Sequence, residues 1–422
     1  MKLQRFTPEY LKYWHNKEEI DIPEFRFRDS DVRGCWISNV ENIDTPRGVS
    51  TEEYKNHLIG ILDNMQSYNM NTAVFQVRPM NDAYYPSKLN PWSKYITGVE
   101  GKDPGFDVLA FFIEEAKKRN IKVHAWMNPY RVNGKDVTTL NMTKDEYLDT
   151  LSENNWARLN KQHTILDGAN KIILSPSHPE VIDFVTKSIM EVAENYDVEG
   201  VHIDDYFYPY AKIPESLEME DYLKYRSSPD ESFDDFRRSN VDKMIKSVHD
   251  ELKKLLSKNN KKVLFGISPF AVYRTHSSIV EGGWDKGSYN AKSALQCYSE
   301  LYSDVYKWMK EGWIDYVVPQ NYFSFERRDV AYHDVAWWWS NICEETKTTL
   351  YMGQGIYHMG ATEGWGHETW QNPLEIANQL KFNCNFDNIE GTIFFTYRDL
   401  VPGKNPIKDQ ALDSVKKLWN QK

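Results

Sequence analysis

The sequence predicts an α/β fold, a (β/α)8 TIM barrel with long βα-loop insertions. Three observations carry that expectation. Short apolar strands alternate with amphipathic helices eight times. Each strand runs out into a polar or aromatic tail, and no composition break separates the units. Alternation of this kind implies a parallel sheet, and eight units imply closure into a barrel. An open doubly wound sheet is the alternative, but no G-x-G-x-x-G follows the first strand and there is no Walker A loop.

Residues 1–31 read as a charged N-terminal leader with one short amphipathic piece, Tyr10 to Trp14, and residues 32–422 as a single barrel. Arg33 to Asn39 is strand-like. A helix follows from Thr51 to Tyr68, capped by Ser50 and with Glu52 and Glu53 in its first turn. The second strand is Thr72 to Arg78, whose tail continues as a long loop to about Phe106. The pairs continue with a helix Val108–Arg119, a strand Lys122–Asn128, a helix Pro179–Tyr196 and a strand Gly200–Phe207. Next come a helix Phe233–Ser257, a strand Val263–Ser268, a helix Cys297–Glu311 and a strand Tyr316–Gln320. A helix Val335–Thr346, a strand Thr349–Gln354, a helix Pro373–Phe386, a strand Gly391–Thr396 and a helix Asp409–Trp419 complete the set. Leu140–Ser177 and Ile213–Ser232 read as loop insertions rather than separate domains.

Composition narrows the function classes. A hydrophobic fraction of 41% supports a full core. The net charge of -11 argues against a general nucleic-acid or anionic-membrane binder, whose signature is a basic face. No stretch reaches the ~18 apolar residues of a membrane span. The polar N-terminus has no apolar h-region. The chain as given is therefore expected to be cytoplasmic, or extracytoplasmic if a leader has been removed. Cys35, Cys297, Cys343 and Cys384 form no C-x-x-C pair, so a zinc or redox motif is not indicated. Oligomeric state is not readable from this sequence.

The chemistry concentrates in Gly200–Tyr210, a strand that ends in Asp204-Asp205-Tyr206. Strand alternation turns His202, Asp204 and Tyr206 inward if helices cover the outside, and leaves Asp205 where the chain exits the sheet. Adjacent carboxylates cost desolvation and repel one another, so they are poor structural material. Barrel active sites lie at the carboxyl ends of the strands. The same parity places Gln76 and Arg78 on strand two, His124, Trp126 and Asn128 on strand three, then Tyr130 and Arg131 in its tail. Gln320 and Tyr322, Gln354, Thr396 and Arg398 end later strands. Amides, guanidiniums and aromatics together suit a neutral polyhydroxylated ligand, an oligosaccharide or other glycan, held by forked hydrogen bonds and stacking. Asp82, Asn128, Tyr130, Asp204, Tyr206, Gln320 and Arg398 are expected to line one cleft, with Trp126, Tyr206 and Tyr322 as its aromatic floor. His124 or His202 alone reads more readily as a satisfied core group. A metal-dependent hydrolase using His124, His202 and Asp204 is a competing reading, but no H-x-H or H-E-x-x-H occurs. No metal ligand and no cofactor is assigned. No G-x-S-x-G marks a serine nucleophile. The Trp337–Trp339 run reads as wall packing, and Gly364-Trp-Gly-His367 as a binding loop.

Several longer motifs carry a family resemblance. Phe75-Gln-Val-Arg-Pro79, Asp82-Ala-Tyr-Tyr85, Pro91-Trp-Ser93, His124-Ala-Trp-Met-Asn-Pro-Tyr-Arg131, Asp204-Asp-Tyr-Phe-Tyr-Pro209, Gly266-Ile-Ser-Pro-Phe270, Gly312-Trp-Ile-Asp315 and Pro319-Gln320 resemble the glycosyl-hydrolase-like 10 family. The resemblance spans about Arg33 to Asp399. It implies a (β/α)8 glycosidase related to bacterial enzymes that cut peptide-free peptidoglycan strands. Glycoside cleavage usually needs two carboxyl groups flanking the bond, and sequence neighbours rarely straddle one. Asp82, Glu326 and Asp399 are the possible partners at other strand ends. The second solution uses the sugar's own 2-acetamido oxygen as nucleophile. Asp204-Asp205 is similar to the adjacent pair of O-GlcNAcase-type enzymes, and Gly-Val-His-Ile-Asp more loosely to the chitinase fourth strand. The chitinase pattern has Glu where Tyr206 stands, so that acid does not carry over. By this resemblance Asp204 addresses the acetamido group and Asp205 is the general acid. A non-catalytic glycan-binding barrel is the alternative.

Overall fold

The computed structural model describes residues 2–3, 10–364 and 366–421. Among the described residues there are ten strands: β1 Val32–Ile37, β2 Thr72–Arg78, β3 Lys122–Met127, β4 Thr164–Leu166, β5 Ile172–Leu174, β6 Gly200–Ile203, β7 Leu264–Ile267, β8 Tyr316–Val317, β9 Thr349–Gln354 and β10 Ile389–Phe394. Eight of them close into a parallel barrel in the order β1-β10-β9-β8-β7-β6-β3-β2, and β4 and β5 form a separate antiparallel pair. The fold is thus the (β/α)8 barrel read from the strand–helix alternation, with helices around it.

Helix starts follow local chemistry. Ser50 accepts from the Glu53 amide, Asp107 from Ala110 and Ser232 from Asp235; each side chain satisfies an otherwise orphaned N–H. The expected helix Cys297–Glu311 is broken. Its halves, Cys297–Glu300 and Val305–Lys310, are separated by Tyr302 at φ 53°, and Asp304 restarts the second by capping Lys307. Within the Ile213–Ser232 insertion lies an unforeseen helix, Glu215–Tyr225. It hid because the spacing puts Leu217 on the opposite side of the helix from Met219 and Leu223, so no single apolar stripe marks a buried face; all three are exposed.

The barrel interior is a small apolar cluster of Trp36, Val74, Trp126, Tyr316, Val318 and Ile393. A larger cluster fills the space between strands and helices. Gly266 makes the interior possible: a Cβ there would lie 1.8 Å from the Tyr316 ring. The Tyr316 hydroxyl bridges His124 Nδ1 at 2.7 Å and His202 Nδ1 at 3.1 Å, while His202 Nε2 meets Ser268 Oγ at 2.8 Å. Burial holds both histidines below their usual pKa. They are a neutral buried layer beneath the strand ends.

The residues read as a leader lie along the barrel. Leu11, Ile20 and Ile22 are buried, the Trp14 amide donates to Asp334 at 3.0 Å, and His15 stacks on Trp337 at 4.1 Å. Trp338 and Trp339 pack into the wall.

Candidate active site

β6 ends at Ile203, four residues earlier than the sequence pattern indicates. Alternation stops there, and both Asp204 and Asp205 turn into one cleft of about 600 Å³. Among the described residues they are the carboxylates that line it. Both are buried, at 5% and 6% exposure.

The two carboxylates have different surroundings. Asp204 accepts from Trp126 Nε1 at 3.2 Å, from Asn128 Nδ2 at 3.0 and 3.1 Å, and from the Tyr206 amide at 3.2 Å. Burial raises its pKa, while the Arg131 charge and these donors pull it back. Asp205 is held by the Tyr210 hydroxyl and the Gln320 amide. Burial, then the Asp204 charge, pushes it up to about 6. Two like charges in one pocket cannot both ionise cheaply, so the pair titrates as a unit, with burial and the Asp204 charge favouring the proton on Asp205. That is the division an acid and a charged helper require.

A stability consequence follows. A carboxyl raised in the folded state stabilises fully below its ordinary pKa, and that contribution is lost as pH rises through about 6. Asp205→Asn is therefore expected to raise the melting temperature at pH 7 and to leave it unchanged near pH 4, as thermal melts at the two pH values will read.

Aromatic rings form the cleft's walls. Tyr322 stacks on Phe395 at 5.7 Å and meets Trp36 edge-on at 6.4 Å. Arg131 lies over the Tyr206 ring at 4.2 Å. Tyr206 and Tyr210, at 39% and 41% exposure, stand at the rim. Behind them is an adjoining cavity of about 330 Å³, lined by Asn128, Tyr130, Arg131, Asp167, Lys171 and Tyr206 among others. The buried Tyr130 hydroxyl has no hydrogen-bond partner among the described residues.

Of the residues expected from the sequence, Trp126, Arg131, Asp204, Asp205, Tyr206, Gln320 and Tyr322 line the main cleft, and Asn128 and Tyr130 the adjoining cavity. Four others do not reach either. Arg78 is spent on Asn81 and Asn90 and on the carbonyls of Asn128 and Pro129. Asp82 is buried, accepting from the Met80 amide at 3.0 Å. His202 lies one layer below, fully buried. Arg398 points outward beside Asp399. The His124, His202 and Asp204 metal reading is also corrected: the histidine nitrogens face Tyr316 and Ser268, and Asp204 faces Trp126 and Asn128. The candidate partner acids are placed elsewhere. Asp399 pairs with Lys408 at 2.5 Å, and Glu326 lines a cavity against the N-terminal segment. Trp36, Tyr210, Ser268, Phe270, Arg327, Tyr357, His358 and Phe395 line the cleft without having been anticipated. Tyr210 lay within the quoted stretch, but parity has no meaning past the strand end. Trp365 of the expected binding loop lies outside the described residues.

If Asp205 delivers a proton, Tyr210 tunes it. The donated hydroxyl lowers the Asp205 pKa, so Tyr210→Phe is expected to move the alkaline limb of the kcat/KM profile to higher pH. An unmoved limb would mean that another group sets it.

A parallel barrel with a buried acid pair and ring-lined cleft at its strand ends is built as glycoside hydrolases are. The chain belongs to the glycosyl hydrolase-like 10 family, whose profile matches residues 31–371. It is 39% identical over 385 residues to glycosyl hydrolase YngK of Bacillus subtilis, covering 90% of this chain and 70% of that one. To glycosyl hydrolase DigH of Escherichia coli K12 it is 34% identical over 402 residues, covering 92% and 87%. Among solved structures, the catalytic domain of a β-amylase from Paenibacillus polymyxa aligns with a TM-score of 0.51 at 9% identity, covering 92% of this chain and 98% of that one. The α-L-fucosidase isoenzyme 2 of Paenibacillus thiaminolyticus gives 0.50 at 13%, covering 93% and 49%. These two likenesses establish the barrel. No described helix is long and apolar enough to cross a membrane.

Proposed function

We propose that this glycosyl hydrolase cleaves glycans containing N-acetylhexosamine, such as peptide-free peptidoglycan strands, by a substrate-assisted mechanism. The observation that carries the reading is the cleft's inventory: two adjacent carboxylates and, among the described residues, no third lining it. Two-sided mechanisms place their carboxyl groups ~5–9.5 Å apart on opposite sides of the bond. Here the missing nucleophile is supplied by the sugar's 2-acetamido oxygen. Asp204, oriented by Trp126 and Asn128, receives the acetamido N–H and then faces the positive oxazolinium. Asp205 gives its proton to the leaving oxygen and afterwards takes one from water.

The cleft and the adjoining cavity meet at Arg131 and Tyr206, so a chain of sugars can cross that ridge. The unpartnered Tyr130 hydroxyl offers a hydrogen bond to a unit beyond it. Tyr322 supplies a stacking face, and Tyr322→Ala is expected to weaken oligosaccharide binding by about 1–3 kcal/mol, measured by calorimetry on an inactive variant. Turnover on a panel of N-acetylated and non-acetylated oligosaccharides tests the function. Cleavage confined to N-acetylated chains supports it. Binding of those chains without cleavage would leave a glycan-binding barrel instead.

A further inference from the structure

Outside both cavities, three loop segments bring ring nitrogens and carboxylates together. His163 ends a turn just before β4. His178 and Glu180 flank Pro179 at the start of the helix Pro179–Asn195. Asp221 comes from the helix Glu215–Tyr225. The His163 and His178 Nδ1 atoms face each other at 2.6 Å. Ligand atoms of His163, His178 and Glu180 all lie within 4.8 Å of one another.

Asp221 orients the His178 ring. Its Oδ2 lies 2.8 Å from His178 Nε2 and also accepts from Ser177 Oγ at 2.7 Å. A carboxylate in that place accepts a hydrogen bond from Nε2–H, and in the neutral ring that tautomer leaves a lone pair on His178 Nδ1. That lone pair points at the His163 Nδ1. Two arrangements fit: an N–H···N bond between the rings, or two lone pairs converging on a cation. A carboxylate behind a histidine is the arrangement that fixes tautomer and ring orientation at metal sites and raises ligand basicity. Two imidazoles and one carboxylate form a zinc-class donor set.

We propose that His163, His178 and Glu180 hold a divalent transition-metal ion of the zinc class, with Asp221 orienting His178. A tetrahedral ion with Zn–N bonds of ~2.0–2.1 Å keeps its nitrogens about 3.3 Å apart. Each ring therefore swings by only a few tenths of an ångström. Glu180 is exposed and His163 and His178 are partly so, so the ion has an entry path and the fourth position opens to solvent. His163 is steadied by the Trp156 ring at 5.7 Å. The ion would tie the insertion carrying β4 and β5 to the helix Pro179–Asn195 and, through Asp221, to the helix Glu215–Tyr225. That insertion also supplies Asp167, Lys171 and Ile173 to the wall of the adjoining cavity. The role is that of a clamp, and no step of glycoside cleavage passes through it.

The test is titration of chelator-stripped full-length protein with zinc sulfate, followed by calorimetry and by thermal melting. One ion per chain and a raised melting temperature are expected. Both effects should be absent in His163→Gln, and binding should be about 10–100-fold weaker in Asp221→Asn, the usual cost of losing such a partner. No binding, or binding undiminished in His163→Gln, overturns the proposal; the first outcome leaves the pair as a plain N–H···N bond. Should a variant fail to fold, imidazole 15N spectra of the wild type still decide. Zinc must shift the Nδ1 signals of His163 and His178, and unshifted signals overturn the site.

Discussion

Replacing Asp205 by asparagine is expected to slow glycan cleavage by about 10²–10⁴-fold, the usual worth of a positioned general acid. Asparagine keeps the shape and can still accept from Tyr210, so the cleft should stay intact while the transferable proton is gone. The deficit should depend on the leaving group. A poor leaving group needs its oxygen protonated and shows the full loss. A good aryl leaving group departs with little help and shows much less. Steady-state rates across a series of aryl glycosides read this directly. An equal loss with every leaving group would remove Asp205 from the acid role. The pH profile is linked to the same proton. With Asp205 raised to about 6 by burial and by Asp204, kcat/KM should fall as pH rises through that value and the acid ionises. In Asp205→Asn that limb should vanish.

Asp204→Asn should cost about 10²–10³-fold with every leaving group, the scale of one lost electrostatic contact to a developing charge. Asp204 acts on the nucleophile rather than on the departing oxygen. Its carboxylate is aimed by Trp126 Nε1 and Asn128 Nδ2, so Asn128→Asp, which removes a donor and adds a like charge, should reproduce much of the defect. The decisive comparison is one aryl leaving group on 2-acetamido and 2-hydroxy sugars. Turnover should be confined to the first, and a thiazoline that mimics the oxazoline should inhibit, as intermediate analogues do. Comparable turnover of both sugars, or a covalent glycosyl-carboxylate trapped by a 2-fluoro sugar, would rule out substrate assistance. Asp205 would then need a partner that the present cleft does not hold.

The uneven fate of the strand-end residues has a common cause. Arg78 and Trp126 both end inward-facing runs on neighbouring strands. Trp126 reaches the cleft because its indole N–H meets Asp204, 78 positions away. Arg78 does not, because the loop after β2 folds back to offer it Asn81 and Asn90, and the β3 tail adds two carbonyls. The residue type was informative in both cases; the partner was not predictable from spacing. Trp36 and Phe395 show the converse. Neither is a polar strand-end residue, yet packing of β1 against β10 brings both beside Tyr322.

By itself the sequence determined the barrel, the order of its units, several helix starts and the adjacent acid pair. Those properties reside in short stretches: the period-two and 3.6-residue patterns, the Ser50 cap, and two carboxylates side by side. Only the tertiary structure decided where β6 stops, which polar groups face the sugar cleft, and that Asp204 and Asp205 sit in unlike surroundings. It also brought His163, His178 and Asp221 together from separate segments. Hydrogen-bond partners and burial depend on which distant segments meet. A carboxylate has no fixed pKa until its neighbours and its access to water are set, and those are properties of the folded chain.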